Sequence, residues 1–159
     1  MISSGMSEIE RITDQLRRAF EGDAWHGPSV REVLEGVTPE MATRKVLSDA
    51  HTIWEMVLHI AAWEKFVRRR LEGEKVKGPT GVEDWPVVHD PSPAAWRRTI
   101  DTLVEGHQQL IQVISKMSEE KLNKAVPETN FSYYVLLHGV VQHDLYHAGQ
   151  IALLKKAKA

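Results

Sequence analysis

Four stretches of the chain repeat their apolar residues every three or four positions, and almost none alternates with period two between turn signals. The first pattern selects helices with a buried stripe, and the lack of the second leaves little material for a sheet. The spacing predicts a helix from about Ser7 to Phe20, with Ile9, Ile12, Leu16 and Phe20 on one side, Ser7 as its cap and Gly22 as its end. A second helix is expected from about Asp49 to Leu71, the most apolar of the four. The third runs from about Pro93 to Met117, opening on Ser92 and Pro93 as cap and first helical residue. The fourth runs from about Ser132 to Lys156 and closes in lysines, which suit a helix C-terminus. The expected fold is all-α, a four-helix bundle forming one domain over residues 1–159, long enough to bury a proper core.

Two connections are longer than a minimal bundle needs. Residues 22–48 hold Trp25, His26, Gly27 and Pro28, then a short helical piece around Val30–Leu34, then Thr38 as a cap for Pro39–Ala42. Residues 73–92 carry prolines and glycines up to Gly81, followed by Asp84-Trp85-Pro86. A loop of that length in a compact domain is usually functional or disordered. Its tryptophan argues for docking over a site.

Composition removes several function classes. There is no cysteine, so disulfides, thiolate metal sites and cysteine nucleophiles are excluded, and any metal must rest on histidine, carboxylate and water. A net charge of −2 gives no electrostatic case for nucleic acid or an anionic membrane. No apolar run reaches membrane-spanning length, and the stretch from Met1 to Glu8 lacks the basic start and apolar core of a signal peptide. The expectation is a cytoplasmic protein with neither nucleic acid nor membrane as partner. No phosphate-binding glycine loop or nucleophile elbow is present, which weakens kinase and serine-hydrolase readings.

Chemistry concentrates in the run His-Asp-Leu-Tyr-His-Ala-Gly-Gln, residues 143–150. His143 and His147 are four apart, so on a helix their imidazoles share one face, one turn apart, close enough to hold one metal ion. His143 lies in the row Leu136–His143–Gln150 and His147 in the row Val140–His147–Leu154, where a bundle helix normally places aliphatic residues. The second helix offers a partner. Between Ile53 and Trp63 only Glu55 and His59 can ionise, and His59 shares an edge with Met56, Trp63 and Phe66. His59, His143 and His147 make a three-histidine site with coordination positions left for water or substrate. Three separately hydrogen-bonded core histidines are the competing reading, and it demands more polar partners than one shared cation does.

Other candidates surround this set. Glu55 could fix the tautomer of a ligand histidine through its second nitrogen, or be a solvated residue near the helix start. His51 continues the same edge one turn earlier, Gln150 follows His143 in its row, and Trp25 and His26 could be held near a bundle end by their Gly-Pro turn. His138 is turned away from the pair, and His89 and His107 are expected in a loop or on a polar helix face. The spacing from His143 to His147 also resembles a zinc-peptidase helix, but Asp144 is shorter than the glutamate that chemistry uses, and a helical chain offers no edge strand to align a peptide. Leu137, Val141, Leu145, Ala148 and Ala152 form a second apolar row on the fourth helix, which must meet another helix of the chain or a dimer partner.

Several of these segments together resemble the DinB/YfiT-like family of metalloenzymes. They are Ala24 to Ser29, His51 to Glu55 continuing through Leu58-His59-Ile60 and Trp63-Glu64, the Asp84-Trp85-Pro86 loop, and Leu137 to Ile151. The resemblance implies an up-down-down-up four-helix bundle, often a homodimer, with nickel or zinc held by positions matching His59, His143 and His147. Relatives of the fold include thiol-dependent S-transferases and an isomerase that use low-molecular-weight thiols. The leading expectation is therefore a metal-dependent S-transferase or hydrolase acting on a small-molecule substrate, with a metal-bound water or the thiolate of a thiol cosubstrate as nucleophile. A non-catalytic metal- or ligand-binding protein related to stress is the alternative, and a purely structural bundle the third.

Overall fold

The computed structural model describes residues 5–157, so the ends of the stretch read above for a leader and of the lysine-rich tail lie outside it. The regular structure of the described residues is all helical, apart from one isolated bridge between Ala125 and Ser132. Four long helices carry the fold: α1 (Glu8–Phe20), α4 (Ile53–Leu71), α5 (Pro93–Ser115) and α7 (Tyr133–Lys156). Three short ones, α2 (Val30–Leu34), α3 (Pro39–Thr43) and α6 (Glu119–Leu122), lie in the connections. No helix among the described residues is long and apolar enough to cross a membrane.

The helix starts follow from local chemistry. Ser7 and Glu10 form a reciprocal capping box at α1, as do Ser29 and Glu32 at α2. The expected start of the second long helix near Asp49 is too early. Thr52 caps it, accepting from the Glu55 backbone N–H while the Glu55 carboxylate accepts from the Thr52 backbone N–H at 2.7 Å, and this box fixes Ile53 as the first helical residue. Ser92 with Pro93 opens α5, and Ser132 opens α7. α1 closes at Glu21, and Gly22 takes φ +152°, a conformation that a side chain would strain.

α1 and α4 each pack against both α5 and α7, while α2 lies on α7 and α3 on α4. The buried side chains fall into two apolar clusters. One gathers Phe20, Trp54, Val57, Ile60, Leu103 and Ile151; the other gathers Ile12, Leu16, Val67, Leu110, Ile114 and Leu137. Along α4, α5 and α7 the switch from one cluster to the other falls at Glu64, His107 and Asp144, all buried. His107, expected on a polar helix face, is thus a core residue. It follows Leu103 by four positions and precedes Leu110 and Ile114 by three and seven, so the periodicity of α5 carries it inward.

Candidate functional site

His59 on α4 meets His143 and His147 on α7, and one ring nitrogen from each lies within 4.8 Å of the others. Helical spacing sets the α7 pair, whose ring centroids are 4.5 Å apart; the packing of α4 on α7 brings His59 to 4.9 Å from the first and 4.6 Å from the second. His59 and His147 are buried and His143 is half-buried.

The outer nitrogens show which way the rings are turned. His59 Nδ1–H donates to the Asp84 backbone carbonyl at 2.8 Å, with the Asp84 carboxylate 3.0 Å away. His147 Nδ1–H donates to Gln150 Oε1 at 2.7 Å. His143 Nδ1 faces Asp144 Oδ1 at 3.9 Å. A proton fixed on Nδ1 of His59 and of His147 leaves the Nε2 lone pair of each ring free for a cation, whereas His143 Nδ1 makes no hydrogen bond. His59 Nε2 and His143 Nε2 stand 3.0 Å apart. Burial pushes His147 down to about 4, outweighing the upward pull of Gln150, and burial likewise lowers His143 against the opposing pull of Asp144. Both rings are therefore neutral near pH 7, the form in which imidazole binds a cation.

The connection between α4 and α5 closes one side of the site. Trp85 is stacked between two imidazoles, 3.4 Å from His51 and 3.9 Å from His59, within 7° of parallel to each. Trp63 Nε1 donates to Asp84 Oδ1 at 2.7 Å and pins the same loop to α4. The expected docking of the loop tryptophan is what the structure shows. His51 enters as a stacking partner from just outside the helix. Glu55 does not reach a ligand histidine: its carboxylate caps α4 and lies 3.5 Å from His51 Nδ1, and Asp84 takes the place expected of it. Gln150 holds His147. Trp25 and His26 are away from the cluster; Trp25 is fully exposed, and both lie over Val141 and Leu145, on the opposite face of α7.

Beside His143 a cavity of about 270 Å³ opens between α4 and α7, walled by Trp63, Val67, Phe131, Leu136 and Gly139. His143 is its one ionisable lining residue. A Cβ built on Gly139 meets nothing within 4 Å, so the missing side chain leaves room there.

Sequence reasoning missed a second group. Glu64, His107 and Asp144 also bring ligand-type atoms within 4.8 Å of one another, and all three are buried. Glu64 Oε1 is 2.8 Å from His107 Nδ1. Burial pushes the Glu64 carboxyl up to about 8 and His107 down to about 4; Asp144 is also raised, by burial first and then by the neighbouring Glu64. The signal was present in the helical rows: Glu64 stands four after Ile60 and three before Val67, Asp144 four after Val140 and four before Ala148. Asp144 is thus turned into the core beneath His143, not toward a substrate as a peptidase base would be.

The sequence pattern that defines the DinB superfamily matches residues 23–151, well over half the chain and including all three clustered histidines. No curated protein matches the chain, and no solved structure does.

Proposed function

This chain belongs to the metal-associated DinB superfamily, and from that premise we propose that it is a metal-dependent enzyme acting on a small molecule, of thiol-dependent S-transferase or hydrolase type. His59, His143 and His147 would hold a divalent cation through Nε2. The observation that carries this reading is the orientation of the rings: the Nδ1–H groups of His59 and His147 donate to Asp84 and Gln150, His143 turns its Nε2 to His59 Nε2 at 3.0 Å, and one ring nitrogen of each comes within 4.8 Å of the others. Three imidazoles suit nickel and zinc alike.

When bound, the metal supplies Lewis acidity that lowers the pKa of a water or thiol in its open positions. The chain's own groups do the rest. Asp84 and Gln150 keep protons on the outer nitrogens, and Trp85 shields the His59 face from solvent. The cavity beside His143 takes the apolar part of a substrate and sets its reactive end against the histidines. With no cysteine in the chain, a thiol nucleophile arrives as a low-molecular-weight cosubstrate. We further propose the up-down-down-up course, a single domain over residues 1–159, a cytoplasmic location and a homodimer; exposed Trp25, Tyr146 and Leu153 support the last.

Elemental analysis of protein purified without chelators tests the site: His59→Ala and His143→Ala are each expected to lose one cation per chain. Unchanged content in both variants overturns the assignment. Metal-loaded protein then separates the reactions, since conjugation needs added thiol whereas ester or amide hydrolysis does not. The absence of general acid or base groups from the cavity, apart from His143, favours one second reading, a non-catalytic metal- or ligand-binding stress-related protein. Ligand binding without turnover under both conditions would establish it.

A further inference from the structure

We propose that Glu64, His107 and Asp144 form a second, enclosed site for a divalent cation, distinct from the three-histidine cluster. One residue comes from each of α4, α5 and α7, and their ligand-type atoms lie within 4.8 Å of one another. At this level the core changes from one apolar cluster to the other on all three helices, so the three side chains form a polar layer between them. Exposure is 0 % for Glu64, 1 % for His107 and 0 % for Asp144.

The layer has more acceptors than donors. Glu64 Oε1 has His107 Nδ1 at 2.8 Å, but Glu64 Oε2 and both Asp144 oxygens have no hydrogen-bond partner. Among the described residues no lysine or arginine pairs with either carboxylate. Burying two carboxylates without a compensating cation is costly, and an unsatisfied buried acceptor costs about 1–3 kcal/mol. Without a cation both carboxyls must take up protons, the direction in which burial pushes each of them. A divalent cation neutralises both carboxylates, accepts Asp144 through either or both oxygens, and takes the imidazole as a third ligand. Two carboxylates and one imidazole are a harder donor set than three imidazoles, so the layer suits zinc, manganese or ferrous iron.

The test is cation stoichiometry, with the full chain refolded in the presence of zinc so that enclosure does not block loading, then desalted and analysed for metal. Wild type is expected to retain two zinc ions per chain, His59→Ala with His147→Ala one, and Glu64→Gln one. Combining all three substitutions should leave none. Manganese refolded into the His59→Ala, His147→Ala protein should give the electron paramagnetic resonance spectrum of an immobilised ion. One zinc in wild type and none in the double histidine variant would overturn the proposal while leaving the three-histidine site standing. Two zinc ions in Glu64→Gln would overturn it by placing the second cation elsewhere. Should Glu64→Gln not fold, the double histidine variant decides alone, because it keeps all three buried ligands.

Discussion

Asp84 lies outside every helix, yet it holds His59 twice. Its carbonyl accepts from His59 Nδ1–H at 2.8 Å and its carboxylate stands 3.0 Å from the same nitrogen while also accepting from Trp63 Nε1 at 2.7 Å. Removing an oxygen partner behind a ligand histidine lowers metal affinity about 10- to 100-fold. Asp84→Ala removes only the side-chain acceptor and leaves the carbonyl to hold the tautomer, so the loss should sit near the lower end. We expect about tenfold weaker zinc binding, or about 1.4 kcal/mol. The same substitution strips Trp63 of its acceptor, a bond to a charged group that contributes about 1.5–3 kcal/mol, so the 73–92 loop should also become easier to cleave. Asp84→Asn retains an oxygen for both partners and should fall within about threefold of wild type. Competition against a chromophoric chelator at fixed pH measures the affinities, and limited proteolysis reads the loop. Wild-type affinity in Asp84→Ala would refute the role given to the carboxylate. Complete loss of zinc in both variants would refute it differently, by making Asp84 a ligand.

Three further outcomes follow from the packing and the caps. Gly139→Leu should fill the cavity beside His143 and abolish binding of small apolar probes measured by Trp63 fluorescence, whereas Gly139→Ala should stabilise α7 by about 0.5–1 kcal/mol in urea unfolding. Leu137 is completely buried, so Leu137→Ala should cost about 3 kcal/mol, with an unchanged urea m-value. Partial burial draws Glu55 upward, but hydrogen bonds from the Thr52 backbone and hydroxyl, helped by His51, outweigh it and leave the carboxyl below its usual range. Its contribution is therefore present above pH 4.5 and lost as pH falls through the lower folded value. Glu55→Gln should melt earlier than wild type at pH 7, by the equivalent of about 0.5–1 kcal/mol, and the two should converge as the pH falls below the folded value.

What the sequence disclosed depended on whether a constraint was local. Caps and periodicity are local, so Ser7, Ser92 and Ser132 could be placed within a residue of their helix starts. The expected start of α4 near Asp49 is too early, although the capping box that sets the true start is legible in Thr52 and Glu55. The pairing of His143 with His147 is also local, since four residues on a helix fix it. His59 could be joined to them because it lies on the apolar edge of α4 with Met56, Trp63 and Phe66. Its oxygen partner could not be found this way. Asp84 reaches His59 through the path of an irregular loop, which no periodicity encodes, whereas Glu55 shares the helix edge of His59 and so stands out in the sequence.

The buried layer of Glu64, His107 and Asp144 was missed for another reason. Each residue, taken singly, looks like an exposed polar position, and charged side chains are rarely fully buried unless paired. The rows of α4, α5 and α7 point all three inward, but a rule that reads charge as surface overrides that geometry one residue at a time. The override fails when three helices make the same exception at the same level. A polar residue interrupting an otherwise apolar row is therefore best weighed against interruptions in the other rows. A lone exception must find a hydrogen bond or emerge at the surface. Three that meet can share a cation, and in this core they meet at the boundary between its two apolar clusters.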